Sequence, residues 1–483
     1  MLFNSLSFAI FLPIVFILYW FVANKNLKYQ NFLLLCASYY FYACWDWRFL
    51  FLLIFSTLLD YFTGLKMSES ENRNKRRFWF WLSVLVNIGF LGVFKYYNFF
   101  AESFAAAALD LGVHVSPWTL KVILPVGISF YTFHGLSYVI DIYKNKIKAE
   151  RNFIDYSFFV SFFPLLVAGP IERATHLLPQ IKKERTFDYL KAADGLRQIL
   201  WGFFKKAVIA DQCSVYANMI FANSDHYPGS TLILGALFFT FQIYCDFSGY
   251  SDMALGIARL FGIELLRNFA FPYFSRDIAE FWRRWHISLS SWFRDYLYIP
   301  LGGSKGGIWM KIRNTIIIFL VSGFWHGANW TFIIWGLLNA LFIMPSIIFN
   351  TNRNNLEIVA KGRSLPTIKE FFQMVLTFSL VVFAWIFFRA NSLTHALSYI
   401  KRIFSRSTFS VPQMDVSGFE IMNTILLIIG FLIIEWNGRE NQYAIATLGI
   451  FKKRSYRLAF YFTLILTIYL FMGREQQFIY FQF

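Results

Sequence analysis

Long apolar runs, separated by short polar connections, follow one another along almost the whole chain. A helix needs about 20 apolar residues to cross a bilayer. The pattern therefore predicts an all-α polytopic membrane protein with about 11 transmembrane helices. The first run has no basic segment before it and no clear cleavage site, so we interpret it as a retained span. The predicted spans are Leu6–Ala23, Asn31–Cys44, Phe49–Leu65, Phe78–Tyr97, Val122–Tyr143, Leu196–Phe221, Leu232–Phe247, Ile316–Phe349, Phe371–Phe388, Ile421–Trp436 and Leu458–Met472.

The connections between the first predicted spans alternate between basic and charge-poor. Lys25 and Lys28 follow the first span, and basic clusters lie at Lys66–Arg77 and Lys144–Arg151. The connection Asn98–Leu120 contains no lysine or arginine. Because cytoplasmic loops carry an excess of these residues, we expect the N-terminus outside and the basic connections in the cytoplasm.

Two segments do not fit this alternation. Ile154–Gly169 is only 16 residues long and is basic on both flanks, which predicts a re-entrant or interfacial element. Arg259–Arg313 carries nine arginines and lysines and the glycine-rich turn Gly302–Gly307, which predicts amphipathic or re-entrant helices at the cytoplasmic face. Irregular backbone at membrane depth is tolerated only where protein buries it or a watery cavity meets it. We therefore expect a cavity at this second segment.

The composition agrees with a membrane protein, since 57% of the residues are hydrophobic and 15% are charged. Soluble domains have roughly 45–50% and 25%. The net charge of +17 is spread over the connections, which favours contact with membrane lipid and argues against a nucleic-acid partner. No sizeable soluble segment interrupts the pattern, so we predict a single membrane domain across residues 1–483. Neither a metal site nor a disulfide framework is expected from the spacing of Cys36, Cys44, Cys213 and Cys245.

Two histidines are candidates for chemistry. His326 lies within a long apolar stretch, where an ionisable side chain suggests a functional site, and small residues beside it leave room for a substrate passage. His286 lies in the second irregular segment. A neutral imidazole can take a proton from a hydroxyl that attacks a carbonyl; the alternative for His326 is a contact between helices. Of the remaining histidines, we expect solvated loops for His114, His226 and His395 and structural roles for His134 and His176.

Two acidic residues, Asp246 and Asp252, end another apolar run. Acidic groups at that depth need partners, and we predict that arginines of the second irregular segment provide them. The same arginines, with one lysine, form a cytoplasmic cationic patch that would fit the phosphates of an anionic cofactor. The patch consists of Arg276, Arg283, Arg284, Arg294 and Lys305.

Longer strings around these residues resemble a known family. Arg276-Asp-Ile-Ala-Glu-Phe-Trp-Arg-Arg-Trp-His286-Ile-Ser-Leu-Ser and Trp292-Phe-Arg-Asp-Tyr-Leu-Tyr-Ile-Pro-Leu-Gly-Gly303 resemble the membrane-bound O-acyltransferase (MBOAT) family, in its bacterial alginate O-acetyltransferase (AlgI-like) branch. The resemblance runs nearly end to end, without a departure at the motif positions. It continues in Ala168-Gly-Pro-Ile-Glu172, Asp246-Phe-Ser-Gly-Tyr-Ser-Asp252, Phe324-Trp-His-Gly327, Trp385-Ile-Phe-Phe-Arg-Ala390 and Phe478-Ile-Tyr-Phe-Gln-Phe483.

The resemblance implies membrane helices around a central tunnel, through which an acyl group passes from a cytoplasmic thioester to a hydroxyl. It implies that His326 is catalytic and that His286 fills a second position, occupied by Asn or His. We expect His326 to activate the acceptor and His286 to orient or polarise the thioester carbonyl; an acyl-His326 intermediate is a second route. The resemblance further implies acetyl-CoA as donor, the bacterial inner membrane, an exported polysaccharide such as alginate as acceptor, and a periplasmic partner protein.

Two other functions are compatible with a cavity in a membrane protein. A transporter or flippase for polysaccharide or lipid-linked sugar would use the cavity as a conduit, but we find no internal repeat of the kind typical of such transporters. A structural scaffold for a secretion complex would not need His326. The sequence favours the acyltransferase, and it leaves the acceptor open between alginate, another exopolysaccharide, peptidoglycan and a teichoic-type polymer.

Overall fold

The structure is a computed structural model. It describes residues 1–120, 124–167, 169–414, 416–447, 453–472, 476 and 478–479. Every regular element in these residues is a helix, as the apolar runs predict. Parts of four predicted features lie outside the described residues. They are Val122 and Ile123 of a predicted span, Ala168 of both the segment Ile154–Gly169 and the string Ala168–Glu172, and residues 480–483 of the terminal string.

By their internal contacts the residues divide into two units. The first comprises Met1–Ala193 with Ile257–Leu266, and the second Asp194–Gly256 with Arg267–Phe483. The single membrane domain across residues 1–483 stays a prediction. In chain order the α-helices are α1 (Leu6–Ile17), α2 (Leu27–Ala43), α3 (Trp47–Glu69), α4 (Arg73–Leu91), α5 (Tyr97–Asp110), α6 (Ile128–Tyr143), α7 (Phe153–Ser161), α8 (Phe163–Leu166), α9 (Ala174–Ile181), α10 (Tyr189–Phe203), α11 (Asp211–Ala222), α12 (Gly229–Leu260), α13 (Ile278–Arg284), α14 (Ile287–Phe293), α15 (Gly307–His326), α16 (Trp330–Ile348), α17 (Ile368–Arg389), α18 (Leu393–Ile403), α19 (Gly418–Gly438) and α20 (Arg454–Phe471). Short π-helical turns are Leu18–Val22, Gly92–Tyr96, Phe204–Ala210 and Arg294–Tyr298, and 3₁₀ turns are Pro272–Phe274 and Arg406–Phe409.

Within the described residues, seven helices are long and apolar enough to cross a membrane. They are Trp47–Glu69, Arg73–Asp110, Gly229–Leu260, Gly307–His326, Trp330–Ile348, Ile368–Arg389 and Gly418–Gly438. This number of apolar helices confirms the predicted all-α polytopic membrane fold. The total of about 11 transmembrane helices stays a prediction.

The stretch predicted as one span, Ile316–Phe349, is two helices. α15 ends at His326, and α16 begins after a three-residue break. Asn329 starts α16, because its side chain accepts a hydrogen bond from the amide of Thr331 and asparagine is a preferred N-cap. The prediction failed because so short a break hardly interrupts the apolar pattern. His326 therefore lies at a helix end and not in the middle of a span.

Short helices form most of the described residues of the two irregular segments, but the second segment, Arg259–Arg313, also contains the end of α12 and the first seven residues of α15. In the first segment lie α7 and α8, with 9 and 4 residues, which are too short to cross a bilayer. Between residues 261 and 306 the longest helices, α13 and α14, have 7 residues each. These helices agree with the prediction that the two segments form no regular span, except at Gly307–Arg313. These residues belong to a helix long enough to cross a membrane, so the predicted end of the second segment at Arg313 is wrong.

Candidate active site

A close contact between two helices fixes the end of α15, where His326 lies. Gly323 is one turn before His326, and a Cβ built on it would overlap the carbonyl oxygen of Phe332. A Cβ on Gly336 of α16 would in the same way overlap the carbonyl oxygen of Phe319. Because these obstacles are backbone atoms, only glycine permits so close an approach. The two glycines therefore hold α15 against α16 just before the catalytic candidate.

Three aromatic rings surround the His326 imidazole. Its ring centroid lies 4.8 Å from that of Trp325, 5.1 Å from that of Trp335 and 5.2 Å from that of Phe388. The side chains come from α15, α16 and α17, so three helices position the imidazole. Only 4% of His326 is exposed. Such walls exclude water and fix the orientation of the ring, as proton transfer requires.

The second candidate, His286, lies in the turn between α13 and α14 and has a left-handed backbone. Its φ is 44° and its ψ is 55°. This conformation costs most L-residues roughly 1–2 kcal/mol, although histidine, asparagine and aspartate adopt it more often than others. Such backbone strain persists only where the surrounding structure holds it.

Asn268 provides that support. Its carbonyl oxygen accepts a hydrogen bond from the Ile287 amide at 2.9 Å. Its side-chain Oδ1 accepts one from the Ser288 hydroxyl at 2.6 Å, and its Nδ2 donates to the hydroxyl of Ser251 at 3.1 Å. All three side chains are buried. Asn268 thus ties the residues directly after His286 to α12.

The His286 ring is packed against phenylalanines. Phe247 meets it edge to face, with ring centroids 4.7 Å apart and planes at 88°, and Phe269 lies 6.5 Å away. Both ring nitrogens are buried without a hydrogen-bond partner among the described residues. Burial lowers the pKa of His286 to about 3, so the ring is neutral near pH 7. A neutral imidazole offers one N–H donor and one acceptor, and partnerless buried atoms of this kind call for an explanation such as a ligand.

The indole of Trp325 contacts both His286 and His326. The Trp325 ring centroid lies 6.2 Å from that of His286 and 4.8 Å from that of His326. The structure therefore brings together the two residues that the sequence singles out for catalysis. Their chemical roles stay predictions.

Within the predicted cationic patch, Glu280 binds two of the arginines. Its carboxylate lies 3.1 Å from Nε of Arg276 and 2.8 Å from Nη2 of Arg284. Arg276 also pairs with Glu370 of α17 at 3.5 Å. Glu280 is buried. These two guanidinium groups are therefore neutralised by carboxylates of the protein, and they attach α13 to the start of α17.

The other three residues of the patch lie at the surface. Arg283 donates hydrogen bonds to backbone carbonyls of the loop 352–355, at 2.7 and 2.8 Å. Arg294 pairs with Asp295 at 2.8 Å while 63% of its side chain is exposed. Lys305 is exposed in the glycine-rich turn. Arg276 thus precedes α13, Arg283 and Arg284 end it, and Arg294 and Lys305 lie in two later turns. The contact of these five residues with a donor stays a prediction.

The ion pairs of the two acidic residues at the end of the apolar run are made with lysines, and not with the arginines of the cationic patch. Nζ of Lys206 lies 2.8 Å from Oδ1 of Asp246, and Nζ of Lys205 lies 2.5 Å from Oδ2 of Asp252. Both lysines are buried. The predicted pairing of these acids with arginines is therefore wrong.

Both lysines lie in the π-helical turn Phe204–Ala210, inside the predicted span Leu196–Phe221. The sequence contained a signal for this network, because unpaired charges in such a run are costly and need partners nearby. The pattern could not show which acids they meet, since α12 is distant in sequence.

At the start of α17 lies a polar pocket of about 510 Å³. Its charged lining includes Arg276, Arg363, Lys369 and Glu370. With a rise of 1.5 Å per residue, α17 places Phe388, which contacts His326, about 27 Å further along the helix. The pocket and the catalytic candidate therefore lie at opposite ends of α17.

The five remaining histidines can be compared with the positions that the sequence predicts for them. Nε2 of His134 accepts a hydrogen bond from the Glu172 amide at 3.1 Å, and Nδ1 of His176 lies 2.8 Å from the Glu172 carboxylate, in keeping with the structural roles expected for both. His395 lies in α18, so its predicted place in a loop is wrong. His114 and His226 are exposed, as predicted.

The described residues contain no group of three or more His, Cys, Asp and Glu that could hold a metal ion.

Comparison with known proteins identifies the family. Residues 143–387 match the model of the membrane-bound O-acyltransferase family, MBOAT. The protein named "probable alginate O-acetylase AlgI" of Pseudomonas aeruginosa is 39% identical over 446 residues, which cover 92% of this chain and 82% of that protein. The peptidoglycan O-acetyltransferase of Helicobacter pylori is 36% identical over 454 residues, covering 88% and 84%. The teichoic acid D-alanyltransferase of Bacillus subtilis is 28% identical over 285 residues, covering 56% and 70%.

The matched range contains His286 and His326, together with the whole cationic patch. An O-acyltransferase activity agrees with a site built from two buried imidazoles. The chain belongs to the membrane-bound O-acyltransferase family, as its motifs predict.

Proposed function

We propose that this enzyme transfers an acetyl group from cytoplasmic acetyl-CoA to hydroxyls of an exported cell-surface polysaccharide, with His326 as the base. Its membership of the family supports acyl transfer in the membrane. The relatives named for alginate and peptidoglycan O-acetylation support acetyl as the group and a polysaccharide as the acceptor. We favour alginate or a similar exopolysaccharide, because the AlgI protein of Pseudomonas aeruginosa aligns over 92% of this chain.

The observation that carries the proposal is that two buried imidazoles, His286 and His326, both contact Trp325. His286 is neutral and presents two buried nitrogens without a partner among the described residues. Its N–H can donate to the carbonyl oxygen of the thioester, where negative charge develops during attack. His326, enclosed by aromatic rings, contacts the same indole as His286, and we assign it the proton transfer to which that carbonyl responds.

In the proposed reaction, a nitrogen of His326 takes the proton of the acceptor hydroxyl as the oxygen attacks the thioester carbonyl. The C–O bond forms, the C–S bond breaks, and the proton passes from the imidazolium to the leaving thiolate. The products are an O-acetyl ester and the free thiol of CoA. An acyl-His326 intermediate is the alternative route. In its first step a nitrogen of His326 forms a C–N bond to the acetyl carbon as the C–S bond breaks and the thiolate takes a proton. In its second step the acceptor oxygen forms the C–O bond and loses its proton as the C–N bond breaks and the imidazole is restored.

The donor enters from the end of α17 at which the polar pocket lies. Lys369 lines this pocket, and Arg283, Arg294 and Lys305 of the patch are exposed cations that suit its phosphates. Arg276 and Arg284 act indirectly, because Glu280 already binds both, and these ion pairs hold α13 in place directly before His286. The thioester arm then follows α17 towards its far end.

We place the protein in a bacterial inner membrane with its N-terminus outside, because of the alternation of basic connections. The acceptor meets His326 from the outer side, with a periplasmic protein as a further partner. A conduit for polysaccharide would need neither a neutral buried imidazole nor a pocket for a thioester, so the transporter is the weaker alternative.

The experiment measures the release of free CoA from acetyl-CoA by the purified enzyme in the presence of alginate oligosaccharides. We expect release that depends on the acceptor, accompanied by O-acetylated product in the mass spectrum. The acetyl transfer rate of His326→Ala should be roughly 10²–10⁴-fold lower, which is the usual contribution of positioned proton transfer. The variant should still be found in the membrane. His395→Ala is the matched control, because His395 lies in α18 and outside the aromatic enclosure. Full activity of His326→Ala would overturn the assignment of His326 as the base. The absence of acceptor-dependent CoA release would overturn the assignment of acetyl-CoA as the donor.

A further inference from the structure

A pocket of about 300 Å³ lies in the first unit, away from both histidines in sequence. It is formed by the π-helical end of α1, the connection between α9 and α10, and the residues that follow Arg259. Its volume is at the lower end of the range for ligand pockets. Its charged lining comprises Lys183, Arg185, Lys191 and Arg259 against Glu184, Asp188 and Glu264.

Part of this lining is fixed by internal bonds. Glu264 pairs with Arg259 at 3.3 Å and with Lys191 at 3.4 Å. The side-chain amide of Gln180 donates to the carbonyl and accepts from the amide of Glu264, both at 2.9 Å. The pocket therefore has a pre-formed polar floor, with one more cation than anions around it.

Lys183 is different, because its side chain makes no ion pair or hydrogen bond within the described residues. It is exposed and lines the pocket. A cation held beside a pre-formed pocket, with no carboxylate assigned to it, is available for an external negative charge. Lys183 is thus an exposed cation that a singly charged anion can contact, in a lining whose cations exceed its anions by one.

An exposed apolar stripe on α1 leads up to the pocket. The large side chains Leu6, Ile10, Ile14, Ile17 and Phe21 are each more than half exposed, and their spacing of three or four residues places them on one face of α1 and its π-helical end. The stripe is about 22 Å long at 1.5 Å per residue. That exceeds one leaflet's share, about 15 Å, of the apolar core of a bilayer.

The stripe ends at the pocket. Trp20, next to Phe21, lines it and donates a hydrogen bond from its indole N–H to the Leu260 carbonyl at 2.9 Å. Phe187 also lines it, is half exposed, and meets Trp20 edge to face at 5.5 Å. Aromatic side chains of this kind are typical of the level of lipid headgroups.

We propose that this pocket binds the phosphodiester headgroup of a membrane glycerophospholipid, with Lys183 on the phosphate and an acyl chain along the exposed stripe of α1. A soluble phosphate would use the pocket but not the stripe, and an uncharged lipid would use the stripe but not the pocket. Only a molecule with both parts matches the two features together. Basic pockets at the cytoplasmic ends of membrane helices are suited to such headgroups.

The test uses the purified full-length protein, freed of lipid in detergent, and native mass spectrometry. Phosphatidylglycerol is compared with diacylglycerol, which has the same chains without phosphate, and with glycerol 3-phosphate, which has the phosphate without chains. We expect one tightly bound phosphatidylglycerol and at least tenfold weaker binding of the other two. Equal binding of diacylglycerol or of glycerol 3-phosphate would overturn the proposal.

Lys183→Ala should weaken phosphatidylglycerol binding about fivefold, since a basic residue at the membrane surface contributes about 1 kcal/mol. Lys183→Arg should retain it. Lys148→Ala is the matched control, because Lys148 is exposed on a cytoplasmic connection and does not line the pocket. Since Lys183 is at the surface, the variants should fold, which size-exclusion chromatography verifies. Unchanged binding by Lys183→Ala would overturn the assignment of the headgroup to this pocket.

Discussion

Gly323 of α15 and Gly336 of α16 lie face to face, so that a Cβ on Gly323 would be 3.4 Å from the Cα of Gly336. The same Cβ would overlap the backbone carbonyl of Phe332, which cannot rotate away. We expect Gly323→Ala to push the two helices apart and to displace His326, one turn further on. Overpacking of this kind typically costs about 1–3 kcal/mol. The apparent melting temperature and the acetyl transfer rate should both fall.

The control for this variant is Gly430→Ala. Gly430 lies inside α19, and a Cβ there would meet nothing within 4 Å. Alanine is the better helix former, so stability should stay the same or rise slightly. If both variants behaved alike, the contact between α15 and α16 would not be what positions His326.

Asn268 is expected to act as a positioning residue for His286. Asn268→Ala removes the side-chain bonds to Ser288 and Ser251 while the backbone bond to Ile287 remains possible. Leaving buried polar partners unsatisfied costs about 1–3 kcal/mol. If the turn loosens, kcat should fall more than KM for the donor changes. A loss of thermal stability with unchanged kcat would show that Asn268 supports the fold but not the site.

The left-handed backbone of His286 predicts a difference between two variants that both remove the ring. Glycine adopts this conformation freely, whereas alanine pays roughly 1–2 kcal/mol. His286→Gly should therefore be the more stable in a thermal unfolding assay, although glycine usually destabilises. Both should lose acetyl transfer to a similar extent, because both lack the imidazole. Greater stability of His286→Ala would contradict the assigned backbone conformation.

Acidification should destabilise the protein through His286. Its pKa is about 3 in the fold and 6.5 in an unfolded chain. Between these values the unfolded state binds one more proton, so the free energy of unfolding falls as the pH falls, by at most about 1.4 kcal/mol per pH unit. Above pH 6.5 this loss is absent. The melting temperature measured between pH 7.5 and 5 should fall less for His286→Asn than for the natural protein, and equal slopes would exclude His286 as the cause.

Much of the fold can be read from the sequence, because lipid demands long apolar helices and each leaves a run of residues. The helical spans around Phe49–Leu65 and Phe371–Phe388 were predictable for this reason. The break after His326 was not, since three residues interrupt no pattern, although the capping asparagine at position 329 was a local signal.

The residues of the candidate site could be predicted from the sequence, but the contacts between them could not. The sequence identified His286 and His326 as candidates. An ionisable ring in an apolar stretch is costly and therefore suggests a function, and both histidines lie in strings that resemble the family. Their meeting on Trp325 depends on tertiary packing, which no periodicity describes. The prediction of arginine partners for Asp246 failed for the same reason, because charges distant in sequence, such as Lys206 and Asp246, are matched only by the fold.

The end of α15 at His326 also has an electrostatic consequence. The peptide dipoles of this 20-residue helix add up, so that its C-terminal carbonyls carry partial negative charge. In the proposed reaction the imidazole becomes positively charged at this terminus, while the attacking oxygen loses its proton. The field of the helix therefore favours the charged intermediate, an effect that a histidine in the middle of an unbroken span would not receive.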